Sequence, residues 1–333
     1  MSELVHDLII NAAWKNPGHP ALCCADQILD YGRLCARMQH AGQAMLSLGV
    51  RPRERVAVLL DKRADALLAM FGTLDAGAAF VPIDPMLKAE QVGQILRDSC
   101  ACVLVTTPGR RLALAPTLAH CPALRCVLQT GSEGAAMPGL AVFGWDACLG
   151  HGGELCAPRV PDTELAALLY QCGASGKPER TGMSHRTLLD CASQLGERLG
   201  RRALRRSLSL LPYCDAGGIA LLAASFATSA ATLLLNQVLA RDMVQLVGRE
   251  GITTLAAPPW LWMQVAALDW QAGQTLRCII SAGGTLPTPT LDALKRRLPL
   301  AQVFVMHGRN GGDTDMLLSH PGLALASPLT AIH

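Results

Sequence analysis

Charged and aromatic residues are both scarce in this chain. Of its 333 residues, 17% are Asp, Glu, Lys or Arg and 4% are Phe, Trp or Tyr, whereas 50% are hydrophobic. Such a composition excludes a disordered or fibrous chain and favours a large, well-buried sheet. The length is sufficient for two domains or for one large α/β unit.

A strong excess of charge is also lacking. The formal net charge is +3, and the basic residues are scattered except for a single group, Arg201, Arg202, Arg205 and Arg206. That group could meet an acidic partner, but a solvated helix face is the favoured interpretation. Because no basic stripe with interleaved aromatic residues is present, nucleic acid is not predicted as a partner.

Neither an export signal nor a metal-binding spacing accompanies the thirteen cysteines. The first residues carry no basic segment and no long apolar run, which predicts a cytoplasmic protein with reduced thiols. The closely spaced cysteines, at 23–24, 100–102 and 121–126, have no further ligands at finger-like intervals. We therefore expect buried thiols and no metal site.

Residues 217–235 contain no charge, and nineteen residues approach the length of a membrane span. The segment includes Gly217, Gly218 and several Ser and Thr residues, and it ends in a strand-like A-T-L-L-L. A buried helix, a short turn and a buried strand explain this composition better than a lipid-facing helix. No membrane is predicted.

Short apolar runs alternate with segments of helical spacing along most of the chain. Runs at 56–60, 80–85 and 102–105 show this alternation, and it returns after residue 185. The order is typical of βαβ units around mainly parallel sheets. Because the pattern loosens between 108 and 161, we predict an α/β fold with one subdomain over 1–160 and a second over 161–333.

A small-residue loop, Y-Q-C-G-A-S-G-K-P-E-R at 170–180, follows a buried apolar run and precedes a helix predicted to begin near His185. Between a strand and a helix, backbone N–H groups of such a loop can approach a phosphate closely. Taken alone, a Gly-x-x-Gly-Lys turn is more often an ordinary tight loop than a phosphate-binding loop.

Five segments together resemble the adenylate-forming enzymes, above all the adenylation domains of nonribosomal peptide synthetases. L-D-A-G-A-A-F-V-P-I-D-P at 74–85 resembles that family's L-K-A-G-x-A-Y-V-P-I-D-P, and L-D-Y-G-R-L at 29–34 resembles L-T-Y-x-E-L. The loop at 170–180 aligns without gaps with Y-T-S-G-S-T-G-K-P-K-G, and S-H follows at 184–185. I-S-A-G-G-T-L at 280–286 resembles V-S-G-G-E-A-L, and H-G at 307–308 stands where the family has the start of Y-G-P-T-E.

The resemblance implies a fold of two similar, mainly parallel sheets flanked by helices. It also implies an activity in which a carboxylic acid attacks the α-phosphate of ATP and the acyl-adenylate passes to a carrier-protein thiol. Mg²⁺ and a lysine would neutralise the charge on the leaving pyrophosphate. The matching nucleotide-binding positions are Gly173, Ser175, Gly176, Lys177, Gly283, Gly284, His307 and Gly308.

The departures from the family pattern fall on positions that carry chemistry. Glu179 replaces a phosphate-facing lysine, and Arg180 replaces a glycine. A carboxylate beside a triphosphate repels it, while Arg180 could compensate only if the backbone re-aimed it. Gly311 stands where the family has a metal-coordinating glutamate, so no metal ligand and no catalytic residue is assigned.

Asp215 is the candidate substrate-binding residue. L-P-Y-C-D-A-G-G at 211–218 aligns with the L-P-L-F-H-x-x-G of acyl- and aryl-acid ligases, and Asp215 occupies the histidine position. Its carboxylate could bind an amino group, or it could cap the helix predicted at 218–227, and the cap is favoured.

The sequence stops just after S-P-L-T at 327–330, which resembles the start of the family's G-R-P-x-x-N. We therefore expect a truncated core without the C-terminal lid domain. Two functions remain open. One is a carboxylate–AMP ligase with impaired turnover, completed by a separate C-terminal adenylation domain. The other is an inactive relative acting as a scaffold in a biosynthetic assembly.

Overall fold

The computed structural model of the chain describes residues 3–24, 27–131, 137, 139–150, 159–172, 178–236, 238–270, 274–307 and 317–319. Within them, eight strands form the larger sheet. In spatial order these are β15 (Leu317–Ser319), β14 (Gln302–His307), β13 (Cys278–Ala282), β12 (Thr254–Ala257), β10 (Arg206–Ser209), β11 (Ala231–Leu233), β1 (Pro20–Cys24) and β2 (Gln27–Asp30).

Seven strands form the second sheet, in the order β7 (Ala141–Gly144), β6 (Cys126–Gln129), β5 (Val103–Thr106), β3 (Arg55–Leu59), β4 (Ala79–Pro82), β8 (Leu165–Cys172) and β9 (Pro178–Ser184). Both sheets are mainly parallel. Among the described strands, antiparallel pairs lie at the edges of the sheets, where β2 pairs with β1, β15 with β14 and β9 with β8. The predicted fold class is confirmed.

Helices separate most of the strands along the chain, and those between consecutive parallel strands of one sheet form its crossovers. They are α1 (Asp7–Lys15), α2 (Tyr31–Ser47), α3 (Ala64–Asp75), α4 (Ala89–Ser99), α5 (Pro108–Leu118), α6 (Trp145–Gly150), α7 (His185–Ala203), α8 (Ala216–Ala227), α9 (Ala240–Glu250), α10 (Pro259–Val265) and α11 (Thr288–Arg297). Gly49 follows α2 at φ +77°, and Gly77 follows α3 at φ +76°. Both glycines adopt the left-handed conformation that favours a helix stop.

Helices from both halves of the chain share one hydrophobic core. Phe71 of α3 meets Phe226 of α8 edge-on, with the ring centroids 5.3 Å apart. Tyr31 at the start of α2 also contacts Phe226, and its hydroxyl donates to the carbonyl of Ala230 at 2.7 Å. Because this hydrogen bond satisfies the hydroxyl, the tyrosine is fully buried without leaving an unpaired polar group.

The two sheets exchange segments of the chain. β1 and β2 lie near the N-terminus but belong to the sheet built mainly from the second half, and β8 and β9 follow residue 160 but complete the other sheet. A cut at residue 160 therefore does not coincide with the division between sheets. The two subdomains over 1–160 and 161–333 stay a prediction.

The uncharged segment at 217–235 is a buried helix, a turn and a strand, as predicted. α8 covers its first part, Ser229 makes the turn at φ +56°, and β11 ends it. In the part of the chain that the structure describes, no helix is both long and apolar enough for a bilayer. The predicted burial of thiols is observed at Cys23, Cys102, Cys121, Cys126, Cys191 and Cys278, whereas Cys100 is exposed and Cys24, Cys35, Cys148 and Cys214 are partly exposed.

The prediction of a loose connection between 108 and 161 was wrong in its first part. α5 occupies 108–118, beginning with Pro108 at its first turn, where a missing N–H costs nothing. β6, β7 and α6 follow. A second proline inside α5, Pro116, obscures the helical signal in the sequence.

Candidate functional site at the carboxyl ends of the strands

The loop at 170–180 connects two strands. The sequence analysis expected it to lead from a strand directly into a helix, but residues 178–184 form β9, which pairs antiparallel with β8. The register sets Gln171 opposite Glu179 and Tyr170 opposite Arg180. Four candidate residues, Gly173, Ser175, Gly176 and Lys177, lie outside the described residues, and their roles stay predictions.

Arg180 is engaged by a neighbouring helix. Its Nη1 lies 3.6 Å from Oδ2 of Asp98 on α4, and the hydroxyl of Tyr170 donates to the same carboxylate oxygen at 2.6 Å. Both side chains of this ion pair are largely exposed, so it restrains Arg180 only weakly. Glu179 is exposed on the same strand.

Gly283 and Gly284 follow β13 directly, as the sequence motif requires. Their φ angles are +85° and +154°, both in the region that side-chain-bearing residues rarely adopt. A Cβ on Gly284 would lie 3.4 Å from Cγ of Pro259. This turn brings an exposed backbone to the carboxyl edge of the larger sheet.

His307 is the last residue of β14, so its backbone reaches the same edge as the glycine pair. The orientation of its side chain is not described, and Gly308 and Gly311 also lie outside the described residues. The nucleotide-binding role of His307 stays a prediction.

Asp215 caps α8, which is the interpretation favoured from the sequence. Its Oδ1 accepts hydrogen bonds from the backbone N–H groups of Gly217 at 2.8 Å and Gly218 at 3.2 Å. Burial raises the pKa of the carboxyl, and these two hydrogen bonds partly oppose the shift. A role in binding substrate stays a prediction.

Close packing explains the two glycines after Asp215. A Cβ on Gly217 would lie 2.3 Å from Sδ of Met306 at the end of β14, and one on Gly218 would lie 2.5 Å from the carbonyl oxygen of Pro212. The start of α8 therefore sits directly against β14.

The loop before Asp215 also borders a cavity between the two sheets. Its volume is about 150 Å³, and its walls come from the segments that follow β3, β4, β10 and β11. Carboxyl ends of parallel strands are the usual location of ligand sites in such folds. The cavity and the glycine turn both lie where parallel strands end at their carboxyl termini.

Lys62 lines the cavity, and the sequence analysis missed it. Its Nζ donates to the carbonyl of Ser209 at 2.8 Å and lies 5.7 Å from the ring centroid of Tyr213. Burial lowers its pKa to about 8, and the nearby thiol of Cys214 acts in the opposite direction. In the sequence, Lys62 is a lysine two positions after an apolar run, and no motif or spacing marks it as functional. Its position in a cavity becomes visible only in the folded structure.

A divalent metal has no evident site in the described part of the chain. No group of three or more His, Cys, Asp or Glu residues there could hold a metal ion.

Comparisons with known proteins identify the family. The model of the AMP-binding enzyme family matches residues 10–309, so the chain belongs to that family. It is 24% identical over 315 residues to tyrocidine synthase 3 of Brevibacillus parabrevis, covering 92% of this chain and 5% of that protein. It is 28% identical over 306 residues to the L-proline–[L-prolyl-carrier protein] ligase of Streptomyces coelicolor, covering 86% of this chain and 55% of that protein.

Solved structures show the same fold. The anthranilate CoA ligase AuaEII, in complex with anthranoyl-AMP, superimposes with a TM-score of 0.81 at 22% identity. The match covers 93% of this chain and 60% of that one. The chain thus spans less than two thirds of the length of each of these relatives.

Proposed function

We propose that the chain is an adenylation-type unit whose reaction is ATP-dependent activation of a carboxylic acid to an acyl-adenylate, with impaired turnover. The observation that carries the proposal is the match to the AMP-binding family over residues 10–309. ATP and a carboxylic acid are the substrates, and a carrier-protein thiol is the acceptor. Amino and aryl acids are the substrate classes that the resemblance supports.

The residues of this chain would act mainly through position and charge. The backbone around Gly283 and Gly284 would border the nucleotide, and the loop with Ser175 and Lys177 would meet the phosphates. Arg180 lies beside Asp98, so binding of a phosphate by Arg180 would compete with this exposed ion pair.

Impairment follows from the charge pattern of the hairpin. Glu179 lies exposed at the start of β9, where it would repel the triphosphate. Loss of one electrostatic contributor commonly lowers the rate by roughly 10²–10³. The second candidate is an inactive relative that keeps the fold as a scaffold in a biosynthetic assembly.

Acid-dependent ATP–pyrophosphate exchange tests the proposal. A panel of amino and aryl acids is assayed with the wild type and with the Glu179→Lys/Arg180→Gly double variant, each with and without a separate C-terminal adenylation domain. We expect weak exchange in the wild type and at least about tenfold more in the double variant. Asp98→Asn, which releases Arg180 but keeps Glu179, is the matched control.

Two outcomes would contradict the proposal. Wild-type exchange that the double variant does not increase would refute impairment by the hairpin. Absence of exchange in both proteins, together with no heat of Mg-ATP binding in calorimetry, would refute adenylation and favour the scaffold.

A further inference from the structure

We propose that a basic cavity at the amino ends of the larger sheet binds a small organic bisphosphate. Three arginines line this cavity, Arg202, Arg205 and Arg277. It lies at the opposite edge of the sheet from the glycine turn, because Arg277 precedes β13 and Gly283 follows it. An extended strand rises about 3.3 Å per residue, which sets these two positions roughly 20 Å apart. The site is distinct from the nucleotide-binding positions and independent of the adenylation proposed above.

The fold brings together arginines that are distant in the sequence. Arg202 lies in the last turn of α7, and Arg205 and Arg277 immediately precede β10 and β13. The strand β12 pairs with both β10 and β13. Two strand spacings of about 4.8 Å therefore set Arg205 and Arg277 roughly 10 Å apart along the edge of the sheet. The cavity thus has two positive ends, with Arg202 and Arg205 at one and Arg277 at the other.

The arginine group at 201–206 is not a single helix face, as the sequence analysis favoured. Arg201 and Arg202 end α7, Arg205 lies in the turn that follows, and Arg206 begins β10. Arg206 is also the member that the structure neutralises, because its Nη2 lies 2.9 Å from Oε2 of Glu250. The arginines that line the cavity are therefore a different subset from the one that the sequence groups together.

The cavity contains no acidic group to balance this charge. None of its described lining residues is Asp or Glu. Glu250, next in the chain to the lining residue Gly251, already pairs with Arg206 and with Arg249. Within the described ranges the three arginines of the cavity form no ion pair. Positive charges that share one cavity repel one another, and an anionic ligand relieves that repulsion.

The helix ends beside the cavity do not need the arginines as caps. The carbonyl of Ala203, the last residue of α7, accepts from Oγ1 of Thr253 at 2.6 Å and from Oγ1 of Thr254 at 2.7 Å. α9 ends at Gly251, which adopts the left-handed conformation at φ +61°. Because hydroxyls and a glycine complete these two ends, the guanidinium groups remain available for a ligand.

Arg277 is positioned by its own loop. Its Nη1 donates to the carbonyl of Gln274 at 2.7 Å and to that of Leu276 at 2.9 Å. Both hydrogen bonds use the same nitrogen, whereas a guanidinium carries five N–H donors. The other donors form the planar fork that matches paired phosphate oxygens. The loop therefore preorganises Arg277 for an anion.

The size and the walls of the cavity select the ligand. Its volume is about 640 Å³, within the usual range for sites of small organic molecules. Leu199, Ala203 and Leu300 supply apolar surface, and Gln302 supplies an amide. None of the described lining residues is aromatic, so the cavity offers no platform for stacking a base. A sugar-like or aliphatic framework with a phosphate at each end fits these walls and the two positive ends.

Calorimetric titration without ATP or Mg²⁺ tests the site, with fructose 1,6-bisphosphate as the probe and fructose 6-phosphate as its single-phosphate counterpart. We expect the bisphosphate to bind at least about tenfold more tightly, because the second phosphate adds charge-assisted hydrogen bonds. Citrate separates phosphate recognition from a general preference for multivalent anions. It should bind more weakly than the bisphosphate.

Substitutions at each positive end locate the binding. Arg202→Gln/Arg205→Gln and Arg277→Gln should each lower the affinity for the bisphosphate at least about tenfold. Arg277→Lys keeps the charge but loses the fork, so it should restore only part of the affinity. Arg241→Gln is the matched control for Arg277→Gln. Arg241 is exposed near the start of α9, whereas the cavity lies at the end of that helix, and its loss should leave the affinity unchanged.

Four results would overturn the inference. They are no heat of binding for the bisphosphate, equal affinity for the bisphosphate and the monophosphate, citrate binding as tightly as the bisphosphate, and an equal loss of affinity in Arg241→Gln and Arg277→Gln. The last result would assign binding to the overall charge of the protein. The substituted arginines are all exposed, and thermal melts establish that each variant is folded before titration.

Discussion

Two polar regions inside this chain are built in different ways, and in the first the polar groups mainly contact one another, although buried Nδ1 of His6 has no hydrogen-bond partner in the described structure. His185, at the start of α7, accepts a hydrogen bond at Nδ1 from the backbone N–H of Val5 at 3.2 Å. Its ring meets His6 edge-on, with the centroids 6.2 Å apart. Asp7 beside them accepts from Arg159. We call His6, Asp7, Arg159 and His185 the histidine cluster.

The Lys62 cavity is the second region, and it is open. Its cation has a carbonyl and an aromatic ring as neighbours but forms no ion pair within the described ranges. In the histidine cluster the polar groups hold the N-terminal segment against α7. The cavity contains an ammonium that forms no ion pair with the described residues. The contrast separates a cluster of polar groups that contact one another from a single charge in a largely apolar surrounding.

The largest expected effect is acid destabilisation through the histidine cluster. Burial lowers the pKa of His6 and His185 to about 4, whereas unfolded histidine titrates near 6.5. Between these values the unfolded chain binds more protons, so stability falls as the pH decreases from about 6.5 to 4. Each histidine contributes a slope of about 1.4 kcal/mol per pH unit.

Urea unfolding at several pH values in this range measures the effect, with His185→Gln as the comparison. We expect the variant to lose about half of the histidine slope, because only His6 remains. Burial and Asp7 raise the pKa of Asp75 to about 6, which changes stability in the opposite direction. The difference between wild type and variant removes that contribution, and identical slopes would contradict the prediction.

The second prediction concerns the cavity, where a substitution is expected to raise the free energy of unfolding. Lys62→Met removes a desolvated charge, so the variant should be more stable than the wild type by about 1–3 kcal/mol at neutral pH. Because burial depresses the folded pKa to about 8, the gain is complete below that pH. It fades as the pH rises towards about 10.4, where the unfolded lysine also loses its proton.

Chemical unfolding at pH 7 and at high pH tests this window. Lys15→Met serves as the control, because Lys15 is an exposed residue in the last turn of α1. We expect no comparable gain there. A loss of stability in Lys62→Met would show that the contacts with Ser209 and Tyr213 outweigh the cost of burying the charge.

Most of the strands and helices could be predicted from the sequence, because buried parallel strands appear in it as short apolar runs between segments of helical spacing. β9 was missed because it is an edge strand, paired only with β8, and its residues P-E-R-T-G-M-S form no apolar run. The cap at Asp215 carried a local signal, since Asp before a helix is a common N-cap.

The Lys62 cavity could not be predicted in this way. Its walls come from four segments between residues 58 and 236, and no spacing in the sequence relates them. The long-range pairing of β1 with β11 and of β4 with β8 likewise leaves no local mark. Sequence patterns report the neighbours along the chain, whereas this site depends on how two sheets meet.

The smallest expected effect repeats the contrast between matched and unmatched polar groups within one sheet. Ser207 and Ser281 are both fully buried strand residues. The Oγ of Ser207 lies 2.9 Å from that of Ser225 and 3.3 Å from Oγ1 of Thr232, whereas the Oγ of Ser281 has no hydrogen-bond partner in the described structure.

Because an unsatisfied buried hydroxyl destabilises the fold, Ser281→Ala should raise the free energy of unfolding by about 1 kcal/mol. Ser207→Ala should lower it by about the same amount. Urea unfolding of both variants measures the pair. A loss of stability in Ser281→Ala would mean that the hydroxyl has a partner beyond the described residues, such as bound water.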